Sequence, residues 1–205
     1  MLLMTPGDEE RIGQAIAAAE RDTSGEIVAV IAAESSTYLY APVLWAALIA
    51  LLVPWPLIWF TWLSVYWIYL IQLAVFAAIA VLLLPRPVRY MLVPASVKKS
   101  RAHRRAVEQF LAQNLHTTAG RTGVLIFVSV AERYAEILAD SGINALVPHN
   151  EWKSIVDDLT RQIGSGRPAD GFISAVTAVG QHLAKHFPPG STDRNELSNH
   201  LIILA

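Results

Sequence analysis

Not one cysteine occurs among the 205 residues, which excludes a disulfide framework, a cysteine-based zinc site and a thiol nucleophile. The redox compartment stays open, because a chain without cysteine suits every compartment. Charge is scarce as well: Asp, Glu, Lys and Arg make up 16% of the chain, where soluble domains carry about 25%. That shortage has one address. The 51 residues from Ser35 to Pro85 hold no ionised side chain, so the other 154 carry all 33 charges, at 21%. Outside the apolar stretch the composition is that of an ordinary soluble domain. The segment Met1 to Glu10 has neither a basic nor an apolar region, so no cleavable signal peptide is expected and any insertion would rely on internal segments.

Of the 51 residues, 41 are apolar or aromatic. A buried core helix does not need that uniformity, whereas a bilayer about 30 Å thick takes roughly 20 apolar helical residues per crossing. At about 1.5 Å per residue the stretch makes about 75 Å of helix, enough for two crossings. The spacing predicts a transmembrane hairpin over 35–85, with spans at about 40–60 and 64–84 and a turn near Thr61 to Ser64. Pro54 and Pro56 fall at the far end of the first span, where a missing N–H and a ring clash kink or end a helix. Trp55, Trp59, Trp62, Tyr66, Trp67 and Tyr69 gather at the same end, as rings do at a headgroup interface. Gln72 is the one strongly polar side chain inside the spans. Channels and pumps usually need ionisable groups there, so transport by this hairpin alone is not expected.

A basic juxtamembrane linker, 86–105, follows: Arg86, Arg89, Lys98, Lys99, Arg101, Arg104 and Arg105, with no acid among them. Seven bases facing an uncharged turn set a positive-inside bias. The expectation is an integral protein of the cell or inner membrane, with two spans and both termini cytoplasmic. The basic run also admits a nucleic-acid reading. Outside it, however, nine bases oppose 17 acids, so the positive charge is confined to the membrane exit. The lipid bilayer and its anionic lipids are the expected contact, at about 1 kcal/mol per basic residue near the surface, and no nucleic-acid partner is expected.

On either side of the hairpin the pattern is that of a soluble domain in two parts, 1–34 and 106–190, with a tail at 191–205. Thr5, Pro6 and Asp8 form a helix start, and Ile12, Ala15, Ile16 and Ala19 a helical stripe. Thr23-Ser24-Gly25 turns the chain into Glu26 to Ala33, an apolar run suited to a strand covered on both faces. Val107, Phe110, Leu111 and Leu115 repeat with helical spacing. Val124 to Val130 reads as a second strand and Arg133 to Ala139 as a third, too close for a crossover and so a hairpin. Trp152, Ile155, Val156, Leu159 and Ile163 mark a helix with Asn150 as candidate N-cap and Gly164 as stop. Phe172, Val176, Val179 and Leu183 mark another from Pro168 to the Phe187-Pro188-Pro189-Gly190 break. The order argues for one α/β domain in two pieces. The segment from Asn195 to Leu204 reads as an extra strand or a docking peptide.

These pieces resemble the TPM-domain family. The resemblance is carried by Thr23-Ser24-Gly25-Glu26-Ile27-Val28-Ala29-Val30 after an amphipathic helix, by Arg121-Thr122-Gly123-Val124-Leu125-Ile126-Phe127-Val128-Ser129, by Glu132-Arg133, and by the strand and paired helices through Phe187. It implies a three-layer α/β/α sandwich, here interrupted by the two-helix transmembrane hairpin. The family is usually membrane-tethered, with phosphatase activity credited to some members, calcium binding to others, and roles in assembly or quality control of membrane complexes to many. Two departures stand out. The membrane segment is inserted after the first strand, and where the family often has E-x-G-x-G this chain reads Leu138-Ala139-Asp140-Ser141-Gly142, without the family's acid.

Glu132, Arg133, Glu136 and Asp140 lie on or beside the strand hairpin. No resident cofactor is evident; Glu132 and Asp140 are the candidate ligands for a divalent cation such as calcium, weighed against plain solvated strand-end charges, since hard cations want several oxygens. His182 and His186 share a helix face but lack the Glu beside the first His that a metalloprotease motif carries. Gly164 to Gly171 follows a helix and lacks a P-loop lysine, so it reads as a connector. No nucleophile elbow is visible, and no catalytic residue is assigned. Two functions follow: a membrane-anchored, cytoplasmic-facing TPM-like domain serving as a binding or regulatory module in membrane-protein assembly or maintenance, with another membrane protein as partner, or a phosphomonoester hydrolase of the TPM type.

Overall fold

The computed structural model describes residues 4–118, 120–189 and 197–204. In chain order the elements are α1 (Pro6–Glu20), β1 (Glu26–Ala32), α2 (Tyr40–Leu52), α3 (Pro54–Phe60), α4 (Val65–Leu83), α5 (Arg86–Met91), α6 (Ala95–Ala112), a 3-10 turn (Leu115–Thr117), β2 (Gly123–Ser129), β3 (Tyr134–Ala139), α7 (Ser141–Asn144), α8 (His149–Gly164), α9 (Pro168–His186) and β4 (Leu201–Leu204). The chain divides into two compact units, 1–35 with 99–205, and 36–98.

In the first unit, helix α1 starts where the sequence marks it. Thr5 Oγ1 accepts from the Asp8 amide at 3.2 Å while the Asp8 carboxylate accepts from the Thr5 amide at 3.2 Å, a reciprocal capping box that satisfies two orphan donors. The sheet order is β3-β2-β1-β4. Strand β1 runs parallel to β2 and to β4, and β2 pairs antiparallel with β3. All seven residues of β1 and of β2 are buried, as central strands covered on both faces must be.

Period-two alternation sorts the side chains. Ile27, Ala29 and Ile31 of β1 and Val124, Ile126 and Val128 of β2 pack against Ile12 and Ile16 of α1, Trp152, Ile155 and Leu159 of α8, and Phe172, Val176, Val179 and Leu183 of α9. Val28, Val30, Leu125 and Phe127 point the other way, onto Ala106 and Phe110 of α6 and Leu115 of the 3-10 turn. The outcome is a mixed α/β domain with helices on both faces of a four-stranded sheet. Helices α1 and α9 approach closely because Gly180 faces Ala19: a Cβ there would come within 2.7 Å of the alanine Cβ.

Two expectations change, and of the two readings of the tail the extra strand is the one observed. Helix α8 is capped by Pro148 in the extended conformation (φ −62°, ψ 143°) and begins at His149. Asn150 therefore lies in its first turn, because the fixed proline φ already places the chain for helix entry one residue earlier. The basic 86–105 segment is two helices, α5 and α6, with Leu92 as the C-cap of the first and Val93, the residue directly before Pro94, disfavoured in the helical region. Helix α6 therefore starts at Ala95, well ahead of the stripe that begins at Val107. The tail forms a strand: Leu201–Leu204 adds to the β1 edge with Ala29 opposite Leu201. Residues 190–196 of the expected tail and its junction, and 205, lie outside the described residues.

In the second unit, α2 and α3 form one near-continuous apolar stretch interrupted at Val53, directly before Pro54. Residues Thr61 to Ser64 leave the helix and α4 returns. A small cluster of Tyr38, Ala41 and Val93, with Tyr90 against it, lies among the termini of this unit. The Tyr38 and Tyr90 rings meet edge to face at 5.4 Å.

Candidate functional site

The parallel strands β1 and β2 end side by side, and ligands of open α/β sheets bind outside such carboxyl ends. There the Ser35 amide donates to both oxygens of Glu132, each at 3.1 Å. Ser35 Oγ donates to Ser129 Oγ at 2.7 Å, and Ser129 Oγ donates to Glu132. The Glu132 carboxylate is thus buried and ties its loop to the end of β2 and to the chain just after β1. A cavity of about 480 Å³ opens beside it, lined by Val128, Val130, Arg133, Thr160, Ile163 and Gly164 among others. Arg133 closes the β2–β3 loop at φ 52°, a left-handed conformation uncommon for a residue with a Cβ.

Asp140 sits at the opposite end of the same ladder. Ser129 pairs with Tyr134 at one end and Val124 with Ala139 at the other, five residues apart, or about 17 Å at roughly 3.4 Å per residue. Glu132 and Asp140 therefore cannot ligate one cation, which corrects their pairing as a metal site. The physical reason is the antiparallel register, which returns the chain a full strand length away. Asp140 Oδ1 accepts from the Ser141 amide at 2.6 Å and Ser141 Oγ at 3.2 Å, with Arg121 at 3.8 Å, so it caps α7. Among the described residues no group of three or more His, Asp or Glu side chains is placed to hold a metal ion.

Glu136 is engaged in a network that the sequence pattern did not reveal. His103 Nδ1 lies 2.9 and 3.0 Å from its two oxygens, and the Tyr134 hydroxyl donates to it at 3.0 Å. Burial, then the adjacent carboxylate, push the Tyr134 hydroxyl well above the usual phenol range. The only available signal was the two-residue spacing of Tyr134 and Glu136 on one strand face. His182 pairs with Glu151 at 2.9 Å and lies edge-on to Trp152 at 5.9 Å, so it ties α9 to α8. Ser165 to Arg167 join α8 to α9, as the connector reading expects.

A second acidic locus lies where β4 joins the sheet. Glu20 Oε1 accepts from the Ile27 amide at 2.8 Å, capping β1 just ahead of the Ala29 to Leu201 register. Burial, followed by the charge of Glu26, raises the Glu20 carboxyl from near 4.5 to about 7, against the lowering effect of the Ile27 amide and Asn199. A carboxyl raised in the folded state contributes stability that is fully present below about pH 4.5 and is lost as pH rises through about 7. Glu20→Gln keeps the acceptor and removes the charge. Its melting temperature is expected to exceed the parent's increasingly from about pH 4.5 to 7, to level off above that and to converge with it near pH 4.5; parallel curves would show that Glu20 is not the titrating group.

The seven basic residues do not share one environment. Arg86, Lys99, Arg101 and Arg104 are exposed, Lys98 and Arg105 half-buried, and Arg89 buried. Arg89, only 7% exposed, is therefore removed from the lipid-facing set: its guanidinium carbon lies 5.9 Å from the centre of the Tyr90 ring. Lys98 Nζ donates to the Tyr90 carbonyl at 3.3 Å. Arg104 and Arg105 reach Glu108 at 3.1 and 3.4 Å, an acid just beyond the run.

The apolar unit presents its side chains outward. Tyr40–Phe60 and Val65–Leu83 are both long and apolar enough to cross a membrane, and the most apolar windows within them are 11% and 0% buried. Core helices of a soluble protein would be mostly buried. Trp59 and Tyr66 near the turn are 76% and 84% exposed.

A four-stranded α/β sheet with helices on both faces and an apolar helical pair between its first two strands defines the class. The family model of the TPM domain, TPM_phosphatase, matches residues 87–182, so over that stretch the chain is similar to the family its motifs resemble. The fold is also similar to the NMR structure of the BA42 protein from the psychrophilic bacterium Bizionia argentinensis, at 21% identity and a TM-score of 0.62, over 98% of this chain and 95% of that one. No curated protein matches the chain.

Proposed function

We propose that this chain is a membrane-anchored TPM-domain protein that acts as a binding or regulatory module for other membrane proteins. The observation that carries the reading is the outward-facing apolar hairpin: two stretches of 21 and 19 residues with almost no buried share. At about 1.5 Å per residue they reach about 32 and 29 Å, matching a hydrocarbon core of about 30 Å. The exposed bases after α4 favour a cytoplasmic exit and contact with anionic lipid, and both termini share that side.

The committed polar groups support binding over catalysis. Glu132, Glu136 and Asp140 each hold their own loop, helix cap or neighbouring strand. The family name alone carries the phosphatase alternative; hydrolysis of a generic phosphomonoester, lost in Asp140→Ala, would establish it instead.

The test is extraction and topology. In isolated membranes the chain is expected to resist alkaline carbonate. A cysteine introduced at Thr61 is expected to be labelled by an impermeant maleimide from outside, and one at Ser198 only after permeabilisation. Release by carbonate would defeat the anchor, and the reverse labelling would defeat the orientation.

A further inference from the structure

Gln72 is the one strongly polar side chain of the apolar hairpin, and the fold puts it in a groove. That groove, about 320 Å³, is lined by Ala47 and Ala50 of α2 and by Tyr69, Gln72, Leu73 and Phe76 of α4. Gln72 is the eighth residue of the 19-residue helix α4, so it lies about 10 Å from one end and about 16 Å from the other. In a bilayer that is hydrocarbon depth. Among the described residues none hydrogen-bonds its amide.

We propose that the groove is the contact surface for a second copy of this chain, closed by a Gln72–Gln72 amide pair inside the membrane. This rests on the membrane-anchor reading. Lipid tails offer an amide neither donor nor acceptor, and leaving it so is costly. A carboxamide carries both functions, so an identical amide related by a two-fold axis is its full complement, each N–H donating to the other carbonyl. A two-fold contact requires this self-complementarity. Ala47, exposed beside the groove, has a side chain short enough for a neighbouring helix to approach, as small residues do where helices associate in membranes. A partner with a single donor or acceptor would leave half of the amide unsatisfied.

The absence of native cysteine gives a clean test on the full chain. Leu73→Cys places a thiol on the groove, and Ala78→Cys places one on the far side of α4. Both variants are purified, reconstituted in phosphatidylcholine vesicles and oxidised with copper phenanthroline. Leu73→Cys is expected to give a disulfide-linked dimer and Ala78→Cys a monomer. Adding Gln72→Leu should raise the dimer dissociation constant about tenfold, the scale of the two interhelical hydrogen bonds of the amide pair, while Gln72→Asn should restore part of it. Ala47→Phe, at an exposed position, should block the dimer without affecting insertion. Monomer from Leu73→Cys in carbonate-resistant vesicles would overturn the dimer and leave the anchor standing. Equal crosslinking of both cysteines, or no response to Gln72→Leu, would also overturn it. Chain released by carbonate would remove the anchor and the dimer together.

Discussion

Arginine in place of Ala74 is expected to lower membrane integration about 100-fold. Ala74 is the central residue of the 19-residue helix α4 and its side chain is exposed. A charge at the centre of a span costs about 2.5–3.5 kcal/mol on the insertion scale, and about 2.7 kcal/mol corresponds to a hundredfold shift. From this position the side chain has the longest route to either interface. The same substitution at Leu82, one residue before the end of α4 and 71% exposed, should be tolerated, because a long side chain there snorkels to the headgroups. The carbonate-resistant fractions of the two variants measure the difference. If both integrate equally, α4 does not lie across hydrocarbon.

This depth dependence also explains why the hairpin was the most legible part of the chain. A run of 51 uncharged residues needs no tertiary information to stand out, since composition alone marks it. The buried strands were nearly as plain: Glu26 to Ala32 and Gly123 to Ser129 are continuous apolar runs, and they are central. The spacing of the third strand required an antiparallel partner, and the register supplies it.

The candidate site was much less legible, for a physical reason. Glu132 and Asp140 are eight apart in sequence, and nothing local says that a strand of nearly that length separates them. Glu20 and the tail illustrate the converse. The tail folds back to β1 after 190–196, and it is the arrival of β4 beside Glu20 that encloses a carboxyl which in isolation reads as the polar end of an amphipathic helix. Arg89 was misassigned because a basic count carries no direction. The rotation about the axis of α5 lays this guanidinium against the Tyr90 ring.

The face of the sheet under α6 should be the weak point of the α/β domain, and Phe127→Ala its most damaging single change. Phe127 is fully buried, and its side of the sheet is covered by Ala106 and Phe110 of one helix with Leu115 of the 3-10 turn. The opposite face has α1, α8 and α9 to close over a void. Collapse into the space left by the ring is limited here because β2 is held on both sides, by β1 and β3. Truncating a buried Phe costs about 3–5 kcal/mol, a large part of the roughly 5–15 kcal/mol that holds a domain. The melting temperature should fall on the order of 10 °C. Leu111→Ala, at a half-exposed position on the outer side of α6, should change stability by less than about 0.5 kcal/mol. On the proposed anchor, in which the hairpin inserts by its own composition, Phe127→Ala should stay in the membrane pellet while its α/β domain becomes protease-sensitive. Loss from the pellet would mean that membrane association depends on the folded domain, and an unchanged melting temperature would mean that the α6 face does not hold the sheet.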